Sequence, residues 1–180
     1  MSGLLPIDAC ILINLYATTR TPEILRALSV QVVVVEQVAS EALYVMRSIK
    51  GELVRTQIDI TPEVRQGLII RAGLIEEELA DYVRHAAELD DGEAATVALA
   101  EHRASAIATD DRAAINYVTR NQLPLTVFRT SDLIRRWMDS ARISPAEVSV
   151  ALAEIRDCGR FVPNDLDPHA DWWRTLVGNE

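Results

Sequence analysis

Asp8, Glu41, Glu93 and the pair Asp110-Asp111 are the residues of this 180-residue chain whose types and surroundings point to chemistry. Asp8 follows Leu4-Leu5-Pro6-Ile7, Glu41 ends Val38-Ala39-Ser40-Glu41, Glu93 closes Asp91-Gly92-Glu93, and Asp110-Asp111 follows Ala106-Ile107-Ala108-Thr109. An ionised carboxylate beside apolar residues, at a strand end or on the packed side of a helix, is costly unless something compensates it. A shared divalent cation would compensate all of them. Oxygen donors with little cationic company suit Mg²⁺ or Mn²⁺. Such an ion lowers the pKa of a bound water and neutralises charge on a phosphoryl oxygen, so phosphodiester hydrolysis is the chemistry this set would serve.

The elements that must position these acids are legible in outline. Leu4 to Ile7 reads as a short buried strand, with a helical turn over residues 11–15 after it. Thr21-Pro22-Glu23 starts a helix that runs to about Leu28, and Val30 to Val35 is a second buried strand. The spacing of apolar residues predicts one amphipathic helix over residues 36–49, ended by Gly51, with Glu41 at the edge of its apolar stripe. Residues 52–60 read as a strand or edge segment, and Thr61-Pro62-Glu63 is another helix start. After a break near Gly73, a helix runs from about Leu74 to Leu89, with Glu76 to Glu78 as a solvated face. An alanine-rich helix over 92–102, a strand over 105–109, a helix over 112–119 and a strand over 125–128 follow.

This alternation predicts an α/β fold with a parallel sheet covered on both faces. Asp8 and Asp110-Asp111 then lie at the carboxyl edge of the sheet, the usual ligand position in such folds. Glu41 and Glu93 project from the packed sides of their helices. The rest of the chain is helical, with an apolar stripe of Leu133, Ile134, Trp137 and Met138, a capping box at Ser144-Pro145-Ala146-Glu147, and a stop at Gly159.

Each acid also has a local reading. Glu93 can close a capping box with Asp90, Asp111 can cap the helix that starts at Arg112, and Glu41 can pair with Arg47 or Arg112. Arg112 can contact a scissile phosphate or pair with Asp8 or Glu41. His85, His102 and His169 have no ligand spacing and read as surface or helix-side residues, while Trp172-Trp173 reads as packing or a dimer contact. The formal charge of -9 and pI near 4.8 argue against a sequence-independent grip on nucleic acid, so any such contact is local. With 49% hydrophobic residues, no apolar run near ~18 residues and no secretory pattern at the start, the chain reads as one soluble cytoplasmic domain. Cys10 and Cys158 form neither a disulfide framework nor a ligand spacing and read as buried thiols.

Asp8-Ala9-Cys10-Ile11-Leu12-Ile13-Asn14-Leu15, the segment from Val32 to Glu41, Leu89-Asp90-Asp91-Gly92-Glu93-Ala94-Ala95-Thr96, and Ile107-Ala108-Thr109-Asp110-Asp111-Arg112 together resemble the PIN domain over roughly residues 4 to 135. The resemblance implies a three-layer α/β/α sandwich with a central parallel sheet in residues 1–135; the helical residues 136–180 read as a C-terminal extension packed on the same domain. It implies a Mg²⁺- or Mn²⁺-dependent endoribonuclease centre in which Asp8, Glu41, Glu93 and Asp111 match the family's acids, with Asp110 as an adjacent metal candidate. Asn14 matches a polar position near the site, and with Arg112 is a candidate for substrate binding. Many such small proteins are VapC-type toxins held by a cognate antitoxin, and many form homodimers. Cys10 stands where the family often has Ser, Thr or Asn, and Glu93 where many members have Asp. Cys10, the acidic pI and the extension motivate the alternative, a catalytically inactive PIN-fold binding or regulatory module. A phosphotransfer receiver would need a lysine after a late strand and a haloacid-dehalogenase-like phosphatase a second Asp at position 10, and neither is present.

Overall fold

The computed structural model describes residues 3–49 and 52–178. Along the chain run β1 (Leu4–Pro6), α1 (Ala9–Ala17), α2 (Thr21–Ala27), β2 (Gln31–Val35), α3 (Glu36–Ser40), β3 (Tyr44–Ile49), β4 (Glu52–Gln57), α4 (Thr61–Arg65), β5 (Ile69–Ala72) and α5 (Glu76–His85). They are followed by α6 (Asp91–Arg103), β6 (Ala106–Ala108), α7 (Arg112–Arg120), β7 (Thr126–Phe128), α8 (Thr130–Ala141), α9 (Pro145–Glu154), a π-helical turn (Ile155–Gly159) and α10 (Ala170–Val177). The elements gather into two compact units that alternate along the sequence. Of the described residues, one holds 3–12, 29–41 and 59–128; the other holds 13–28, 42–49, 52–58 and 129–178.

The first unit is built on a parallel sheet. β1 pairs with β2 and β2 with β5, while β6 pairs with β7, every pair parallel. A parallel bridge between Ile7 and Ala108 joins the two groups, giving the order β5-β2-β1-β6-β7. Val32 to Val35 are buried one after another, which requires cover on both faces and explains why β2 reads as a continuous apolar run rather than an alternation. α6 packs on β1, β2 and β6. Its residues Ala94 to Ala100 are all buried, and the small side chains let the helix lie close to the sheet. α7 adds Ala114, Tyr117 and Val118 to the core around Val97, Ala100 and Ile107. This is the α/β class with a central parallel sheet expected from the sequence.

Three expectations need correction, and one strand went without any. The helix expected over 36–49 is only α3; the chain turns extended at Glu41 (φ -67, ψ 146), and residues 44–49 form β3, antiparallel to β4 from Tyr44↔Gln57 to Ile49↔Glu52. Ser40 marks the break, its hydroxyl bonding back to the Glu36 and Gln37 carbonyls at 2.6 and 2.9 Å and competing with the next helical turn. Gly51 lies outside the described residues. β5 was not foreseen, because an edge strand in which only Ile69 is buried while Ile70 and Arg71 are exposed carries a weak apolar pattern.

Of the glutamates expected on a solvated face, Glu78 is fully buried and chelated by Arg103 at 2.5 and 2.6 Å. His85 is likewise fully buried, its ring nitrogens meeting the Tyr117 hydroxyl at 2.9 Å and the Glu101 carboxylate at 2.6 Å. Periodicity could not place either one inside, because each depends on a partner from another helix.

In the second unit α8 packs on α2 and α9, α9 on α10, and β3 on the π-helical turn. Trp137 and Trp173 are among its largest fully buried side chains. Trp172 lies instead within 5.3 Å of the Arg135 guanidinium. The α9 capping box forms as expected, Ser144 Oγ accepting from Glu147 N–H at 3.3 Å. The C-terminal segment is tied to α8 by Asp167, buried, which accepts from Ser131 Oγ at 2.8 and 2.9 Å. Among the described residues no helix is long and apolar enough to cross a membrane.

Burial alone would raise the carboxyl of Glu78, but hydrogen bonds from Arg103 and the Ile75 N–H, together with the Arg103 charge, hold it below its ordinary value. Arg103→Ala leaves that charge buried without its partner, and a loss of about 3 kcal/mol is expected in urea unfolding at neutral pH. A depressed carboxyl stabilises the fold above its ordinary pKa and ceases to do so as pH falls through the lowered value. The gap between wild type and variant should therefore narrow in acid.

Candidate functional site

β1 ends at the bridge residue Ile7, and the next residue, Asp8, keeps its N–H on the Ala108 carbonyl at 3.0 Å. That bond fixes the backbone of Asp8 to the end of β6, three residues before Asp111. Asp8 is only 4% exposed, and its carboxylate is held by three donors. The Ala9 N–H reaches Oδ1 at 2.7 Å, and the Thr109 hydroxyl and Cys10 thiol reach Oδ2 at 3.0 and 3.4 Å.

Thr109 is the hub of the arrangement. Its fully buried hydroxyl donates to Asp8 and accepts the Asp111 N–H at 3.0 Å. Asp111 is the N-cap of α7, its Oδ1 accepting from Ala113 N–H at 2.6 Å and Ala114 N–H at 3.1 Å. The cap reading of Asp111 is therefore realised, and because both bonds fall on Oδ1 it does not compete with a role for the other oxygen. Cys10 pins the residue between, its sulfur accepting the Asp110 N–H at 3.2 Å.

Glu93 lies in the first turn of α6 and reaches back to the Asp90 N–H at 3.4 Å, longer than an ordinary N–H···O bond. The capping box is thus present but weak. The Glu93 carboxyl also contacts that of Asp111 and feels the charge of Asp8. Glu41 arrives from the end of α3, not from a helix side as expected, and rests its carboxylate on Gly92. A Cβ there would overlap Glu41 Oε1 and meet Val38 Cγ2 at 3.0 Å, so the glycine makes the room that Glu41 occupies.

The electrostatics follow from this crowding. Burial raises the Asp8 carboxyl against the pull of its three donors, with the Asp111 charge adding to the rise. Burial and then the charges of Asp8, Asp90 and Asp91 raise Glu41. Burial, Asp111 and Asp8 push Glu93 up to about 7. Burial and the neighbouring Asp8 and Asp110 charges raise the Cys10 thiol, so it is a protonated donor. No cation figures among the causes of the three carboxyl shifts.

Four oxygen-donor side chains that repel one another match the demand of a hard divalent ion in donor type and charge. Among the described residues no three of the His, Cys, Asp and Glu side chains are already gathered into a metal-holding group, so the fit is one of donor chemistry and not of formed coordination.

Of the other candidates, Arg112 is the first residue of α7, exposed, and among the described residues without an ion pair. Asp110 is half-buried between Thr109 and Asp111. Asn14, on α1, is buried and donates to Thr130 Oγ1 at 3.0 Å. Arg47 is occupied with the Tyr16 and Ala17 carbonyls at 2.5 and 3.0 Å. Sequence reasoning passed over Thr109 and Gly92 as members of the site. A hydroxyl at a strand end directly before two acids, and a glycine in the first turn of an alanine-rich helix, were the available signals.

Thr109→Val removes the donor to Asp8 and the acceptor of Asp111 N–H while keeping the volume. A loss of about 2 kcal/mol in chemical unfolding is expected, with Thr109→Ser retaining most of the stability.

A family model described as PIN domain matches residues 6–168. Neither the curated proteins nor the solved structures contain a match. With a parallel α/β sheet and acids grouped around its carboxyl edge, and with the match running over most of the sequence, the chain belongs to the PIN domain family.

Proposed function

We propose that this chain is a metal-dependent endoribonuclease that hydrolyses RNA phosphodiester bonds, with Asp8, Glu41, Glu93 and Asp111 holding Mg²⁺ or Mn²⁺. PIN domains are generally nucleases, hydrolases that bind nucleic acid. The finer reading is carried by the Thr109 hydroxyl that joins Asp8 to the Asp111 backbone, by Glu41 resting against Gly92, and by the Glu93 carboxyl contacting that of Asp111, with like charges left facing one another.

When bound, the ion would supply an activated water and neutralise charge on the phosphoryl oxygen. The protein's own part is positional. Thr109 and the Ala9 N–H fix both oxygens of Asp8, the α7 cap turns Asp111 so that one oxygen is committed to the helix, and Gly92 admits Glu41. Arg112, exposed on the first turn of α7, is available to a phosphate oxygen. Cys10, as a thiol, contributes a weak donor to Asp8 and holds the loop at Asp110. Asn14 is retained as a substrate-side candidate, and Asp110 as an alternative ligand.

The reading extends to biology: the toxin of a toxin–antitoxin pair, acting as a homodimer in the cytoplasm. A small DNA-binding protein encoded beside the gene would support that part. The alternative, a PIN-fold binding module without turnover, is favoured by the weak Cys10 donor in place of a hydroxyl. Calorimetry with millimolar Mn²⁺ separates the two, since the module would give no binding isotherm while staying folded.

Asp8→Asn and Asp111→Asn should each lower cleavage of single-stranded RNA at least about 100-fold, and excess EDTA should abolish it until Mn²⁺ is restored. Unchanged cleavage in either case would refute the enzyme. Gly92→Ala would ordinarily favour a helix by about 1 kcal/mol. Here it should fold normally yet lose as much activity as Glu41→Ala. The double variant should be no worse than either single one, because both changes remove the same carboxylate from its place.

A further inference from the structure

The second unit carries a cavity of about 480 Å³ whose lining includes Ile13, Tyr44, Met46, Arg55, Cys158 and Arg160, a volume in the range of small-ligand pockets. In a chain with 27 acids against 18 Lys and Arg, it is set apart by its charge. Two arginines line it, and among the described residues no carboxylate does.

The β3–β4 hairpin builds one wall. Tyr44 and Met46 are two apart on β3, and Arg55 is the cross-strand partner of Met46, so all three side chains share one face. Val45, which points the other way, is buried, and Arg47 on that side is tied to backbone carbonyls. That second face anchors the hairpin and leaves the first free to line the cavity. Arg55 stacks on the Tyr44 ring with its guanidinium carbon 3.8 Å from the centroid, which presents a flat, cationic platform.

The opposite wall comes from the π-helical turn. Its geometry closes the Arg160 N–H on the Ile155 carbonyl with Arg160 in the left-handed region (φ 58). It also brings Gly159 so close to Asn14 that a Cβ would lie 2.8 Å from Asn14 Oδ1. The backbone that displays Arg160 is therefore fixed while its side chain is exposed.

We propose that this cavity is a subsite for one nucleotide of single-stranded RNA, the base stacking on the Tyr44–Arg55 platform and a flanking phosphate meeting Arg160. Aromatic rings and guanidinium planes are the surfaces on which unpaired bases stack, and an acid-free pair of arginines complements a phosphate. An acidic peptide would use the arginines but not the platform. The choice of RNA rests on the nuclease reading above, so binding is measured separately from cleavage.

The test is fluorescence anisotropy of a fluorescein-labelled, mixed-sequence ten-nucleotide RNA with the full chain in excess EDTA. Arg55→Ala, Arg160→Ala and Tyr44→Ala should each weaken binding about tenfold, and Tyr44→Phe should stay within about twofold. Arg160→Ala should also reduce the slope of log affinity against log salt by about 1. Circular dichroism checks that each variant is folded, and Arg160 lies outside the hairpin, so its result stands even if Tyr44→Ala unfolds. Wild-type affinity in the Arg55→Ala/Arg160→Ala double variant would overturn the subsite. So would displacement of the RNA by a polyglutamate peptide as effective as unlabelled RNA. Tight binding here without cleavage in Mn²⁺ would count against the nuclease reading alone.

Discussion

The hydroxyl of Thr109 is where two distant stretches of sequence become one site. It gives its proton to Asp8 and takes the N–H of Asp111, so a buried acid after β1 and a helix cap after β6 are coupled through a single oxygen. The coupling is possible only because the Ile7–Ala108 bridge sets β1 beside β6. Parallel pairing puts both strand ends on the same edge of the sheet, and the peptide N–H of Asp8 closes on Ala108 in the same register. Were that register to slip by one residue, Thr109 would point to the other face and Asp8 would lose its strongest side-chain donor.

Helix caps and functional acids are usually offered as rival explanations of the same residue, and in this chain they coexist. Asp111 spends Oδ1 on two N–H groups of α7, and Glu93 spends part of its hydrogen-bonding capacity on Asp90. Both remain close enough to each other and to Asp8 for their charges to interact. A helix N-terminus stabilises nearby negative charge, so placing acids in first turns is a low-cost way to hold several carboxylates together where no cation figures among the causes of their shifts. The rise of Glu93 to about 7 shows that this help is incomplete, and the uncompensated part is what makes a divalent cation a natural companion.

How far the sequence went is instructive residue by residue. β1, β2 and β6 were readable because buried parallel strands are continuous apolar runs, and the starts at Thr21, Thr61 and Ser144 because proline and an acid mark a first turn. The 36–49 segment misled because Val38, Val45 and Ile49 fit a helical period as well as they fit α3 followed by a hairpin. What decided against the helix was pairing with β4, a long-range term that no local window contains. Glu41 was therefore named as a site residue for a wrong geometric reason: it faces Gly92 because the chain has left the helix, not because a helix side points there. Glu78 and His85 were misplaced for a related reason, since burial of a charged or polar side chain depends on partners such as Arg103, Glu101 and Tyr117 that sequence spacing alone does not bring together.

Charge placement then limits how such a chain can meet a polyanion. A protein of net charge -9 gains nothing from long-range attraction to RNA, and the carboxylates around Thr109 repel a phosphate until a cation intervenes. Recognition must come from contacts that work at short range. Stacking does so, because the interaction of a base with an aromatic or guanidinium plane does not require a positive field extending into solvent. The Tyr44–Arg55 pair is a contact of that kind, and Arg160 adds a cation in a cavity whose lining holds no carboxylate. The hairpin that local periodicity concealed is also the element that puts Tyr44 and Arg55 on one face, through the pairing of Met46 with Arg55, whereas a helix over 36–49 would have left Tyr44 on it and Arg55 on a separate segment.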